Sequence, residues 1–171
     1  MRTGFAMLIT SLLVTACATY QFERPQPVNK RSFKKIPRKH RGLFVSSDGD
    51  SIQVEAKRIL LNPGGDTLVL SDSLDLRRYK GFYFMNVREE SNQWQLTLVE
   101  FKDKDYVTLY YLDPKNKSQR KQIAAITEIQ TEKKEDGDKV YILNPTKKEW
   151  RKILRHRLFK EMDSYIRMPS S

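Results

Sequence analysis

From residue 42 onward the sequence alternates short runs of β-prone residues with turn residues, and this pattern constrains the fold more than any other feature. Residues 43–46 and 51–56 flank an Asp-Gly-Asp turn, which predicts a hairpin. A second pair of runs, 58–61 and 67–71, flanks a turn that contains one proline and two glycines. Consecutive hairpins of this kind indicate a mostly antiparallel β domain.

The middle of the chain contains its most apolar runs, at 81–87, 93–101 and 106–112. In the second run Trp94 begins an alternation of apolar and polar residues, as expected for a strand with one solvated face. The alternation shifts by one position at Val99, which predicts a β-bulge or a strand that bends between two layers. An aromatic face of this kind is either core or a surface that binds an apolar ligand or stacks on bases or sugars. The candidate ligand-facing aromatic residues are Phe82, Phe84 and Trp94.

The remainder of the chain adds helices to this sheet. Isoleucines at every third position predict a short helix near 118–126, followed by strands at 127–133 and 139–143. Thr146 and Glu149 form a capping-box pattern that predicts the start of a C-terminal amphipathic helix. Its apolar stripe consists of Trp150, Ile153, Leu154, Leu158 and Met162. We therefore predict an α+β fold, a meander sheet or small barrel of about seven to nine strands with this helix packed on it.

The first 17 residues differ from the rest of the chain. Arg2 gives a positive start, residues 5–14 form an apolar run, and Ala16 is a small residue directly before Cys17. This order is typical of a secretory signal with its cleavage site, and we predict residues 1–16 to be a cleaved signal peptide. A transmembrane helix needs about 20 apolar residues, so the run is too short for one.

Residues 13–17, Leu-Val-Thr-Ala-Cys, resemble the lipobox of bacterial lipoproteins. The resemblance implies that Cys17, the only cysteine, becomes the first residue and carries a diacylglycerol thioether and an amine-linked acyl chain such as palmitate. It also implies an outer-membrane location, because Ala18 is not the aspartate that retains the enterobacterial type in the inner membrane. In one type of bacterial lipoprotein an acidic cluster near the cysteine marks surface export, so the resemblance, with no acidic residue at 18–22, implies the periplasmic leaflet. An ordinary cleaved secretory signal is the alternative.

Residues 17–41 are predicted to be the lipidated cysteine and a basic, proline-containing tether to a single domain at 42–171. The formal net charge of +11 favours anionic partners such as lipid headgroups or lipopolysaccharide phosphates, with a merely solvated surface as the alternative. Nucleic acid is not expected as a partner. The candidate anionic-surface contacts are Arg31, Lys34, Lys35, Arg38, Lys39, Arg41, Arg151 and Arg155.

Catalytic motifs are sparse. The two histidines, His40 and His156, are far apart in the sequence, and no nucleophile elbow, phosphate loop or metal-ligand spacing is present. Asp72 and Asp75 are the carboxylate pair considered for acid–base chemistry, although such residues in turns are usually solvated. We predict that the protein is not an enzyme and needs no cofactor or metal.

These observations favour a membrane-anchored, non-catalytic lipoprotein that acts as a binding, accessory or structural subunit of an envelope assembly, with an envelope protein as its partner. One alternative is a lipocalin-like binder of a small apolar ligand. Residues 42–44, Gly-Leu-Phe, stand where a lipocalin has its opening Gly-x-Trp, but they lack the tryptophan. The second alternative is an envelope hydrolase. A hollow barrel favours the binder, a filled core favours the subunit, and a pocket with paired carboxylates favours the enzyme.

Overall fold

The computed structural model describes residues 18–62, 64–70, 73–135 and 137–169. These residues form twelve β-strands and two α-helices. In chain order the elements are β1 (Ala18–Gln21), β2 (Gly42–Ser46), β3 (Ser51–Val54), β4 (Arg58–Leu61), β5 (Thr67–Val69), β6 (Leu74–Tyr79), β7 (Phe82–Arg88), β8 (Trp94–Phe101), β9 (Tyr106–Tyr111), α1 (Lys117–Ala124), β10 (Ile129–Lys133), β11 (Lys139–Leu143), α2 (Lys147–Arg155) and β12 (Lys160–Arg167).

Nine strands form one antiparallel, barrel-like sheet in the order β5-β4-β3-β2-β12-β9-β8-β7-β6. Strands β2 to β5 are consecutive hairpins, and so are β6 to β9. The edge strands β5 and β6 follow each other in sequence, and a bridge between Leu70 and Leu74 links their ends, so that the barrel is nearly closed. The predicted mostly antiparallel α+β fold is therefore confirmed.

A second, three-stranded sheet and the two helices cover one outer side of the barrel. In this sheet β1 runs parallel to β11, which pairs with β10 in an antiparallel hairpin. Trp150 and Ile153 of α2 are fully buried in the same cluster as Leu96 and Leu98 of β8. The outer face of β8 is thus part of the core.

Burial on both faces explains the shift in apolar alternation along β8. Leu96 and Leu98 pack outward against α2, whereas Val99 belongs to the inner cluster of the barrel. The register from β7 to β8 is continuous from Trp94 to Val99, so the predicted bulge at this point is wrong. A shift of register does occur in β12, where its pairing with β9 changes between Glu161 and Asp163.

The predicted C-terminal helix begins at the correct place but is shorter than expected. The Thr146 hydroxyl accepts a hydrogen bond from the Glu149 N–H, and the Glu149 carboxylate accepts one from the Thr146 N–H at 2.7 Å, which confirms the capping box. The helix ends at Arg155, because the chain then turns and enters β12. Leu158 is buried in this turn and Met162 is an exposed strand residue, so their assignment to the helical stripe was wrong.

The segment that was predicted to be a tether is instead packed on the domain. Gln26 is fully buried, its side chain accepts a hydrogen bond from Trp150 Nε1 at 2.8 Å, and its backbone N–H donates to Asn86 Oδ1 at 2.7 Å. Further on, the Ile36 N–H donates to the Ala56 carbonyl at 2.8 Å. Prolines deny this segment a long helix or strand, but buried side chains and hydrogen bonds still fix its path. Residues of the 18–41 segment are therefore packed into the folded structure and do not form a free tether.

Candidate ligand cavity in the barrel

The interior of the barrel contains a cavity of about 460 Å³. This volume lies within the range of small-molecule sites, about 300–1,000 Å³. Side chains from most strands of the sheet line it, and most of them are apolar, including Val54, Ile59, Leu68, Met85, Val99 and Leu109. The cavity therefore offers an apolar ligand a mostly apolar lining with a smaller number of polar groups.

The lining follows from the two-residue period of a strand. Along β7, Tyr83, Met85 and Val87 face the cavity. The alternate residues of the strand face outward, so that Phe84 is fully buried against Trp150 at a ring-centroid distance of 5.1 Å. Phe84 is therefore outer core.

The predicted ligand-facing aromatic residues do not line this cavity, because they occupy the outer face of the sheet. Phe82 packs edge-to-face on Tyr110 at 6.3 Å, and Trp94 lies under the guanidinium of Arg88. With Phe84 they belong to the outer cluster or pack against it. The three residues therefore lie on the strands that line the cavity, but on the opposite face of those strands.

One end of the barrel is closed by residues 33–41. The Phe33 N–H donates to the Leu76 carbonyl, and Ile36 is buried in the inner cluster. The Arg167 guanidinium donates to the carbonyls of Lys39 and Arg41, which fastens the end of this segment to β12. The segment that precedes β2 thus forms the floor of the cavity.

His40 is the polar group of this floor. Its ring is buried and stacks on Phe101 at 3.7 Å, and Nε2 is hydrogen bonded to the Tyr83 hydroxyl at 2.9 Å. Burial, reinforced by the positive charges of Lys39, Arg78 and Arg167, lowers the pKa of His40 to about 4. Burial also raises the pKa of Tyr83. Both groups are therefore neutral near pH 7, and they can exchange hydrogen bonds with an uncharged polar group of a ligand.

The opposite end of the cavity is bordered by the β2–β3 and β4–β5 turns. The β2–β3 turn contributes Asp50, and the β4–β5 turn contributes Asn62 and Asp66. All three are exposed, and Asn62 Nδ2 donates to an Asp50 carboxylate oxygen at 3.0 Å. These carboxylates favour an uncharged or positively charged ligand group at this end over an anionic one.

The predicted anionic-surface residues lie in two separate places. Those at 31–41 are on or near the floor, and all are exposed except Arg41, whose Nε donates to the Ile36 carbonyl at 2.9 Å. Arg151 and Arg155 are exposed on α2, which packs on the outer wall of the barrel. The structure therefore does not gather the two groups into one surface.

Two other sequence-predicted positions, Cys17 and Asp72, lie outside the described residues. Asp75 forms an ion pair with Arg77 at 2.7 Å and accepts a hydrogen bond from Ser32, so it acts as a structural anion. The described part of the chain contains no group of three His, Cys, Asp or Glu residues placed to hold a metal ion. Within the same residues, no helix has both the length and the apolar character needed to cross a membrane.

Sequence reasoning missed the floor, in particular Ile36 and His40. The available signal was the pair of apolar residues Phe33 and Ile36 within a strongly basic stretch. No protein-family model, no curated protein and no solved structure matches this chain.

Proposed function

We propose that the protein is a non-catalytic, lipid-anchored envelope protein whose barrel binds a small apolar ligand. The observation that carries this proposal is the apolar cavity of about 460 Å³. Protein interiors are normally close-packed, and unfilled apolar space lowers the free energy of unfolding. A subunit that acts only through its outer surface gains nothing from such a space, whereas a binding protein requires it.

The ligand is tested by native mass spectrometry of the protein extracted from its host membrane in mild detergent. We expect a bound small amphiphile. Ile52→Phe and Val54→Phe each replace an aliphatic side chain of the cavity lining with a larger aromatic ring. Each should reduce the fraction of protein that carries ligand about tenfold. Val69→Phe is the matched control, since Val69 is exposed on the edge strand β5 and does not line the cavity.

An empty protein that instead recovers a stoichiometric envelope protein would exclude the binder in favour of the accessory subunit. Equal ligand content in all three variants would place the ligand outside the barrel.

The location is tested separately at Cys17. If Cys17 carries the lipid, Cys17→Ser should abolish incorporation of a labelled fatty acid and leave the protein unprocessed or soluble. Continued labelling of the variant would exclude the lipoprotein part of the proposal, while the ligand experiment would still decide the barrel's function.

A further inference from the structure

A groove of about 230 Å³ lies on the outer side of the barrel, beside the beginning of the described chain. Ala18 and Tyr20 of β1 line it, and so do Leu112 and Pro114, which follow β9. The position of β1 is fixed, because its four residues pair with β11 and the next residue, Phe22, bridges to Trp94 of β8. Backbone pairing therefore holds this wall of the groove in place.

The groove and the cavity share part of their lining. Gln95, Thr97 and Met162 line both spaces. Gln95 and Met162 are exposed, and Met162 has 52% of its surface accessible. A layer one side chain thick thus separates the groove from the interior of the barrel.

The hydrogen-bonded ladder of the barrel wall is interrupted at the same place. Strand β8 pairs with β7 from Trp94 onward, but it pairs with β9 only from Leu98 to Phe101. On the neighbouring strand β12, Met162 occupies the position where the register with β9 shifts. Side chains rather than a hydrogen-bonded ladder close the wall here, and a methionine with several rotatable bonds can move at little cost.

The proposed lipid would be attached one residue before the groove-lining Ala18. Cys17 directly precedes Ala18, and consecutive Cα atoms are about 3.8 Å apart. A lipid on Cys17 that is inserted in a bilayer would therefore hold the groove at the membrane surface. An apolar chain could then pass from the bilayer into the barrel without crossing bulk water.

We propose that the groove is the entrance through which the acyl chain of a membrane lipid enters the barrel cavity, with Met162 as the movable side chain between the two spaces. This inference rests on the proposed function, because it requires both the lipid on Cys17 and an apolar ligand in the barrel. It adds the chemical class of the ligand and the route by which the ligand arrives.

The experiment uses the full-length, lipid-bearing protein in phosphatidylcholine vesicles that contain a phosphatidylcholine with a photoreactive acyl chain. After irradiation, peptide mass spectrometry should find cross-links on residues of the groove and on cavity-lining residues such as Val99. Met162→Trp and Gln95→Trp fill the shared layer and should each lower the cavity cross-links about fivefold or more. Met168→Trp is the control, because Met168 is also an exposed methionine but lines neither space.

The proposed entrance would be refuted by cross-links confined to the outer surface of the domain, or by cavity cross-links that are equal in all three variants. If these results occur while native mass spectrometry still shows a ligand that Ile52→Phe and Val54→Phe remove, the proposed function stands and only the entrance is wrong. If no ligand is found by either method, the proposed function itself fails, and the inference fails with it.

Discussion

Asn86→Ala tests whether the segment before β2 is an integral part of the domain. The Asn86 side chain is fully buried on the outer face of β7. Its Oδ1 accepts from the Gln26 N–H at 2.7 Å, and its Nδ2 donates to the Gln26 carbonyl at 2.9 Å. Gln26 in turn accepts from Trp150, so a single amide joins the N-terminal segment, the barrel wall and α2.

The magnitude follows from the groups that lose their partners. Alanine leaves the buried N–H and carbonyl of Gln26 unsatisfied, and each costs about 1–3 kcal/mol. We expect the free energy of unfolding to fall by about 2–6 kcal/mol, a large part of the 5–15 kcal/mol that is typical of a domain. Asn144→Ala is the control, since Asn144 is exposed and its loss should change the free energy by less than about 0.5 kcal/mol.

Urea unfolding followed by tryptophan fluorescence measures this change, and limited trypsin digestion locates it. In Asn86→Ala the peptide bonds after Lys30 and Arg31 should be cut faster than in the parent protein, because the segment is released from the wall. A change in the free energy of unfolding below about 1 kcal/mol, together with unchanged cleavage at these bonds, would refute the reasoning. It would support the interpretation of this segment as a free tether.

Two further predictions concern the floor and α2. The pKa of His40 is lower in the folded protein, about 4, than its ordinary value of 6.5, so the unfolded chain takes up a proton first as the pH falls. The free energy of unfolding should therefore be highest above pH 6.5 and should fall toward pH 4 by about 1–2 kcal/mol, after allowing for solvent screening of the full shift. Calorimetry across this range should show that His40→Phe lacks this component and that His156→Gln retains it. Thr146→Ala removes one half of the capping box and should cost about 1 kcal/mol in urea unfolding, whereas Thr146→Ser should cost little; equal losses in the two variants would exclude the hydroxyl as the cause.

The local elements could be predicted because their signals lie within a few residues of one another. The β2–β3 and β4–β5 hairpins carry glycine-containing turns, and Thr146 and Glu149 are three positions apart in the pattern that begins a helix. The end of α2 could not be predicted in this way. Leu158 and Met162 continue the helical spacing by chance, and the strand β12 depends on partners in β2 and β9 that are distant in sequence.

The position of the cavity could not be predicted for a related reason. The two-residue period of β7 separates Phe84 from Tyr83 and Met85, but it does not say which group faces inward, since both faces of the strand are buried. Residues 33–41, which form the floor, show no periodic alternation of apolar and polar residues. Ile36 lies in irregular backbone and His40 ends a single 3₁₀ turn (Arg38–His40), both among exposed basic residues, and their burial depends on contacts with residues far along the chain.

The position of β12 in the sheet also determines the order in which the protein can fold. Hairpins within β2–β5 and within β6–β9 can form from neighbouring residues, but β12 is the strand that joins β2 to β9. Its pairing with β2 spans most of the chain and therefore carries a large loop-closure cost. Until β12 is synthesised and inserted, the two halves expose unpaired strand edges and their apolar inner faces. Before β12 pairs, the described strands can form only two separate open sheets, and the enclosed interior of the barrel exists only after β12 has joined them.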